Sequence, residues 1–260
     1  MLLMIGAPMD STGFAAVAAH LADTHTVVTY DPRGISASSR EGTDLDATPE
    51  VLADDAHRLL TALGVAAADV FGSSGGAITG LALVTRHHDQ VRTLIAHEPP
   101  LVALLPDGAR QRAAIDTVYD TYRREGPGAA MQTFFAVTGI EGGPMTVNDS
   151  SPWADGARLA AAPDPTTTVQ MQSNLDTFLG HMLRPLTRYR PDIPALRAAS
   201  TRIVVGGGTT SAGQLAHRTA AALADQLDTS LVDFPGDHAG YAAEPEAFGW
   251  MLHHVLATPT

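Results

Sequence analysis

A chain of 260 residues that is 45% hydrophobic, with 24 Gly and 17 Pro, suits one turn-rich α/β domain carrying an insertion better than two independent domains. A net charge of -12 with only 16 Lys and Arg argues against nucleic acid or an anionic membrane as partner, since both require clustered positive charge. The absence of cysteine excludes disulfides, thiolate catalysis and cysteine-ligated metals.

Leu2-Leu3-Met4-Ile5 is a short continuous apolar run ending in Gly6, the pattern of a strand buried on both faces of a parallel sheet. The run is too short for a membrane span or a signal-peptide core and no basic segment precedes it, so the expectation is a soluble cytoplasmic protein. Gly6 to Gly13 reads as a turn-rich loop, followed by a helix over Phe14 to Ala22 and a strand over Thr26 to Tyr30. That strand stops at Asp31-Pro32-Arg33-Gly34, where proline and glycine forbid continuation. Ser36 to Asp46 reads as an exposed loop. Thr48-Pro49 has the pattern of an N-cap with proline at the first helical position, opening a helix that Gly64 closes.

Ala68-Asp69-Val70-Phe71 then runs as a strand into Gly72-Ser73-Ser74-Gly75-Gly76, and Ala77 to His87 leaves as a helix. The five residues fit G-x-S-x-G with Ser74 at the centre of a sharp strand-to-helix turn. The flanking glycines leave room where the turn crowds its neighbours, and the Gly75 N–H and helix N-terminus face any oxyanion formed beside Ser74. Val91 to Ala96 is a further strand that delivers His97-Glu98-Pro99-Pro100 at its C-terminal end. Four strand-then-helix alternations predict a parallel sheet with right-handed crossovers.

The pattern breaks between Leu101 and Ser200. Helical stretches over Ala109 to Arg124, Pro127 to Val137 and Thr167 to Leu183 follow one another, divided by Gly142-Gly143-Pro144 and by Ala161-Ala162-Pro163-Asp164-Pro165. The expected organisation is therefore a core of residues 1–100 and 201–260 with a helical insertion over residues 101–200. The core resumes with a strand at Arg202 to Val205, Gly206-Gly207-Gly208, a helix over Ala212 to Gln226, a strand over Ser230 to Phe234, the loop Pro235 to Gly240, and a closing helix over Pro245 to Leu256.

A serine hydroxyl is a weak nucleophile without a base in hydrogen-bond reach. His238 is the best of 11 histidines for that role, because it follows a strand and a Pro-Gly turn where a loop can lean over the strand ends. His20, His57, His87, His88, His217, His253 and His254 fall on predicted helices and read as packing or surface residues, whereas His97 lies at a strand C-terminus, where ligands of open α/β sheets bind. Asp31 and Arg33 read as loop-holding residues through turn capping and a local ion pair. The neighbouring pairs His87-His88 and His253-His254 diverge around a helix and do not suit a metal. No phosphate-cradling loop or spaced-glycine dinucleotide fingerprint is present, so no cofactor is implied. Phe134, Phe135, Met145, Trp153, Met171, Phe178 and Met182 supply enough apolar bulk for a hydrophobic pocket and favour an apolar or amphipathic organic substrate over a sugar or phosphate ester.

Tyr30-Asp31-Pro32-Arg33-Gly34, the Gly72 to Gly76 turn and Gly236-Asp237-His238 together resemble the α/β-hydrolase family, over most of the chain and with serine before histidine. The resemblance implies a mainly parallel sheet flanked by helices, with a helical cap. It also marks two departures. The family's further N-terminal strands and His-Gly pair are replaced by Ile5-Gly6, which implies a shortened sheet with Ala7 and Gly75 supplying the oxyanion N–H groups; Pro8 has none to offer. After the Val204-Val205 strand, where the family usually carries the carboxylate that orients the histidine, this chain aligns Thr210, which cannot offset an imidazolium charge.

Glu98 is the preferred acid, because some family members take theirs from the strand after the elbow helix; its other reading is as a residue shaping the start of the cap. Asp237, adjacent to His238, and Asp233, ending a strand, are less suited, and failing all of these Thr210 or an ordered water would fix the imidazole. The expectation is a serine hydrolase of a small apolar or amphipathic carboxylic ester, thioester or lactone, working through a Ser74 acyl-enzyme. The alternative is a non-hydrolytic lyase, cyclase, isomerase or binding protein of the same fold. Either would take a small organic molecule, with no nucleic-acid or membrane partner, as a monomer or homodimer.

Overall fold

In the computed structural model, which describes residues 1–39, 46–140 and 165–258, six strands form one all-parallel sheet. They are β1 (Leu2–Ile5), β2 (Val27–Thr29), β3 (Ala68–Ser73), β4 (Val91–His97), β5 (Arg202–Gly208) and β6 (Val232–Phe234), in the spatial order β2-β1-β3-β4-β5-β6. The chain steps from β1 outward to β2 and then returns across β1 to lay down β3, β4, β5 and β6 in sequence. The direction reverses between β1 and β3, and the C-terminal ends at such a switch point frame the ligand crevice of open α/β sheets. Register brings those ends to one level: Ile5 pairs with Gly72, Ser73 with His97, and His97 with Gly206.

Alternation along each strand builds two cores. Leu3, Ile5, Val70, Leu94 and Val205 face the layer containing α2 (Pro49–Ala62), α3 (Gly75–His87) and α9 (Leu215–Leu227). Leu2, Met4, Phe71, Ile95 and Val204 face the layer containing α1 (Ala15–Leu21) and α11 (Pro245–Ala257), where Val17, Leu21, Phe248 and Leu252 are buried. The cap predicted for α2 forms, with Thr48 Oγ1 accepting the Val51 N–H at 3.4 Å and Pro49 starting the helix.

Between β4 and β5 the described residues contain helices and no strand: α4 (Gly108–Glu125), α5 (Pro127–Thr138), α6 (Pro165–Thr177), α7 (Leu183–Thr187) and α8 (Ile193–Ala198). The predicted divisions Gly142-Gly143-Pro144 and Ala161 to Asp164 lie outside the described residues. The helix expected from Thr167 to Leu183 divides into α6, a π turn over Phe178–Met182, and α7. The π turn differs from its flanking helices in i→i+5 bonding, which residue type alone does not announce; here the His181 carbonyl accepts the Ala47 N–H at 3.0 Å. The helix expected from Ala212 begins at Leu215, because Gly213 adopts φ 87°.

His97 closes β4, wholly buried beside Phe71, Phe234 and Phe248, with ring centroids 6.2, 5.6 and 5.3 Å away. Its Nδ1 lies 3.4 Å from Ser73 Oγ and its Nε2 has no hydrogen-bond partner among the described residues. Burial drives its pKa down from 6.5 to about 4; the nearby Glu98 charge opposes the shift and His238 and His217 add to it. Unfolded chains thus take up a proton that the folded chain refuses, so stability falls as pH drops from about 6.5 towards 4. Between pH 7 and pH 5, wild type is expected to lose about 2 kcal/mol more unfolding free energy than His97→Leu. Urea midpoints check this, and parallel losses in the two proteins would contradict it.

Candidate active site

β3 ends at Ser73 and α3 begins at Gly75, so one residue carries the whole change of direction. Ser74 does so at φ 56° and ψ -122°, a region that costs a non-glycine residue on the order of 1–3 kcal/mol and persists only when its surroundings fix it. The surroundings do fix it: the Ser74 N–H donates to His97 O at 2.9 Å, and Ser74 O accepts the Ala77 N–H at 3.0 Å. Two of the motif glycines are required by contact. A Cβ on Gly72 would lie 2.5 Å from Gly76 O, and a Cβ on Gly76 would run into the Ile5 carbonyl. Without side chains there, α3 closes onto β3 and β1 and lifts Ser74 over the switch point.

Glu98 follows β4 directly, in a left-handed conformation at φ 48°. Its carboxylate is completely buried and each oxygen is engaged. Oε2 accepts from His238 Nδ1 at 2.6 Å, while Oε1 accepts the Gly208 N–H at 2.9 Å and a short hydrogen bond from Ser211 Oγ. Burial alone would raise this carboxyl's pKa. The hydrogen bond and charge of His238, the proximity of His97 and the Ser211 hydroxyl outweigh burial and bring it down to about 2. Glu98 is therefore ionised at neutral pH, and the Nδ1–H it accepts leaves His238 Nε2 as the basic nitrogen.

His238 stands in the loop between β6 and α10 (Gly240–Ala243), after Gly236 at φ 80°. That loop is tied to the end of β5, where the Thr209 N–H donates to Phe234 O and the Thr210 N–H to Gly236 O, each at 3.0 Å. Ser74 and His238 line one cavity of about 50 Å³, together with Ala7, Gly75 and apolar residues that include Pro100, Ile115, Phe134, Phe178 and Leu186. Neither the Ala7 nor the Gly75 N–H has an acceptor among the hydrogen bonds of the described residues. Ser74 and His238 are not joined by a hydrogen bond either; bonds between nucleophile and base often close only around a bound substrate.

Of the residues expected from sequence, Ser74, His238, Glu98, Ala7 and Gly75 come together at this cavity or directly behind it. Thr210 does not: it is exposed and engages the His238 loop only through its backbone. Its neighbour Ser211, which the sequence reading passed over, is wholly buried and contacts Glu98 instead. The signal was the polar run Gly208-Thr209-Thr210-Ser211 at a strand end, read one residue early.

His97 lies beneath the site and does not line the cavity. Asp237 Oδ1 accepts the Ala239 N–H at 2.8 Å, so it serves its own turn. Asp31 accepts the Ser11 and Ala37 N–H groups at 2.9 and 3.0 Å, and the Arg33 ion pair, expected to be local, reaches Asp55 on α2. Among the proposed pocket residues, Phe134 and Phe178 line the cavity, Met182 is buried in the core and Met171 is exposed. Met145 and Trp153 lie outside the described residues. No helix among the described residues is long and apolar enough to cross a membrane.

Residues 1–137 match the family described as alpha/beta hydrolase fold. A Bacillus subtilis protein named uncharacterized hydrolase YraK is 33% identical over 98% of this chain and 88% of its own length. Among solved structures, a thermophilic esterase from Thermogutta terrifontis superposes with a TM-score of 0.72 at 19% identity, covering 98% of this chain and 88% of that one. The enol-lactonase from Burkholderia xenovorans gives a TM-score of 0.70 at 18% identity, covering 99% and 91%. With its parallel sheet, its strained serine turn and these relatives, the chain belongs to the α/β-hydrolase fold family.

Proposed function

We propose that this protein is a serine hydrolase of small, apolar or amphipathic carboxylic esters, thioesters or lactones, acting through an acyl-enzyme on Ser74. The observation that carries this reading is the 2.6 Å hydrogen bond between Glu98 Oε2 and His238 Nδ1, made behind a cavity that Ser74 and His238 share. In the proposed reaction His238 Nε2 takes the Ser74 proton as Oγ attacks the acyl carbon. The imidazolium that forms is held by the ionised Glu98, and the proton then passes to the leaving group. The Ala7 and Gly75 N–H groups hold the oxyanion, with the N-terminus of α3 adding its positive end. Water, activated by the same imidazole, releases the acid. The esterase and enol-lactonase that share the fold act on substrates of this chemistry by their names.

The non-hydrolytic alternative drew its support from Thr210 standing where a carboxylate is usual. Glu98, ionised and hydrogen-bonded to His238 from the end of β4, favours the hydrolytic reading instead. Under the same proposal the helices of residues 101–200 act as a cap over the core of residues 1–100 and 201–260, because α4, α5, α7 and the π turn supply cavity residues Ile115, Phe134, Leu186 and Phe178.

Ser74→Ala is expected to abolish both p-nitrophenyl ester turnover and labelling by a fluorophosphonate; undiminished labelling of that variant would remove Ser74 from the mechanism. Two substitutions behind His238 should act in graded fashion. Glu98→Gln is expected to lower kcat by roughly 10³–10⁴-fold, because the amide leaves the imidazolium uncompensated. Ser211→Ala removes one donor to the same carboxylate and should lower kcat about tenfold with KM unchanged, with partial recovery in Ser211→Thr. Steady-state kinetics on the two variants checks the order, and full activity in Glu98→Gln would exclude Glu98 as the acid.

A further inference from the structure

The cavity constrains the acyl half of the substrate more tightly than the reaction does. Its volume of about 50 Å³ is well below the roughly 300–1,000 Å³ of pockets that take drug-sized ligands, so it suits a short chain. The walls are aliphatic and aromatic, and Leu186 closes in over the turn: a Cβ placed on Gly75 would lie 2.9 Å from Leu186 Cδ1. Apart from Ser74, the two hydroxyls on the wall already donate within their own helices. Thr187 Oγ1 donates to Leu183 O at 2.7 Å, and Thr138 Oγ1 donates to Phe134 O at 2.9 Å. No Lys or Arg among the described residues lines the cavity, so none of them would compensate a second carboxylate on the acyl chain. Between the two steps of the reaction the acyl group stays bonded to Ser74 while the alcohol leaves. On this reading the acyl chain takes the apolar space beside Ser74, and the leaving group takes the way out.

We infer, on the serine-hydrolase reading above, that the substrates are esters or thioesters of a short, uncharged aliphatic acid. Phe134, Phe178 and Leu186 set that length. Phe134 is half-buried on α5, so trimming it lengthens the cavity with little harm to the core; Leu186 is buried and its truncation risks stability.

The test is kcat/KM for p-nitrophenyl acetate, butyrate and octanoate and for the hemisuccinate ester, with wild type, Phe134→Ala and Leu186→Val. In wild type, butyrate should exceed octanoate and hemisuccinate by about tenfold or more, the discrimination an apolar pocket gives for misfitting methylenes or an unpaired charge. In Phe134→Ala the ratio of octanoate to butyrate should rise about tenfold; Leu186→Val, the milder change at a buried site, should move it in the same direction. Octanoate or hemisuccinate turned over as well as butyrate by wild type would overturn the assignment, as would variants with an unchanged chain-length ratio. No turnover of any ester combined with no fluorophosphonate labelling would refute the serine-hydrolase reading itself, whereas labelling with the wrong chain-length order refutes only the substrate class.

Discussion

The arrangement at the strand ends answers one electrostatic demand: a carboxylate with no solvent exposure has to be compensated by the protein. Glu98 is such a group, and three elements remote in sequence converge on it. β5 supplies the Gly208 N–H, the turn after β5 supplies the Ser211 hydroxyl, and the loop after β6 supplies the His238 ring. Removing any one of these donors would leave part of a buried charge unmet, which costs far more than an exposed hydrogen bond returns. The same demand orients His238, because its Nδ1–H answers Glu98 Oε2 and the opposite nitrogen is left without the proton. A purely structural need thereby fixes a tautomer that acyl transfer would use.

The second constraint is geometric and lies on the other side of the cavity. Ser74 is held in an unfavourable backbone conformation by the convergence of β3, α3 and β1, and two glycines allow that convergence. The strand order reverses between β1 and β3, so the loop after β1, with Ala7, and the turn after β3, with Ser74 and Gly75, lie side by side. Switch point, strained serine turn and the two neighbouring backbone N–H groups are one feature of the topology. Ile115, Phe134, Phe178 and Leu186, from described helices between β4 and β5, line a small apolar space beside it.

Much of this was legible in the residues because the signals were local. Apolar-rich stretches of four to six residues marked the strands, Gly72 to Gly76 marked the turn, and Pro235-Gly236 marked the loop that bears His238. What sequence reasoning could not settle was the partner of His238, because that depends on register. Glu98 and Ser211 meet only because β4 and β5 pair with His97 opposite Gly206, a long-range fact with no short-range trace. Aligning the acid position by its place after β5 pointed to Thr210, one residue from Ser211, whose side chain is buried against Glu98. The π turn at Phe178–Met182 escaped for a related reason: its i→i+5 bonding has no signature in residue type. His97 shows the limit of position as a guide, since a strand C-terminus at the switch region can end beneath a site as well as in it.

The central claim is that Glu98, buried and ionised, accepts the Nδ1–H of His238. Proton NMR of the imidazole N–H resonances, with the His238 Nδ1 nitrogen assigned by selective labelling, tests it directly. A hydrogen bond to a buried carboxylate should place that proton far downfield and protect it from exchange at neutral pH, and the signal should move upfield or vanish in Glu98→Gln. A His238 Nδ1–H signal at an ordinary solvent-exposed position, or one indifferent to that substitution, would contradict the account.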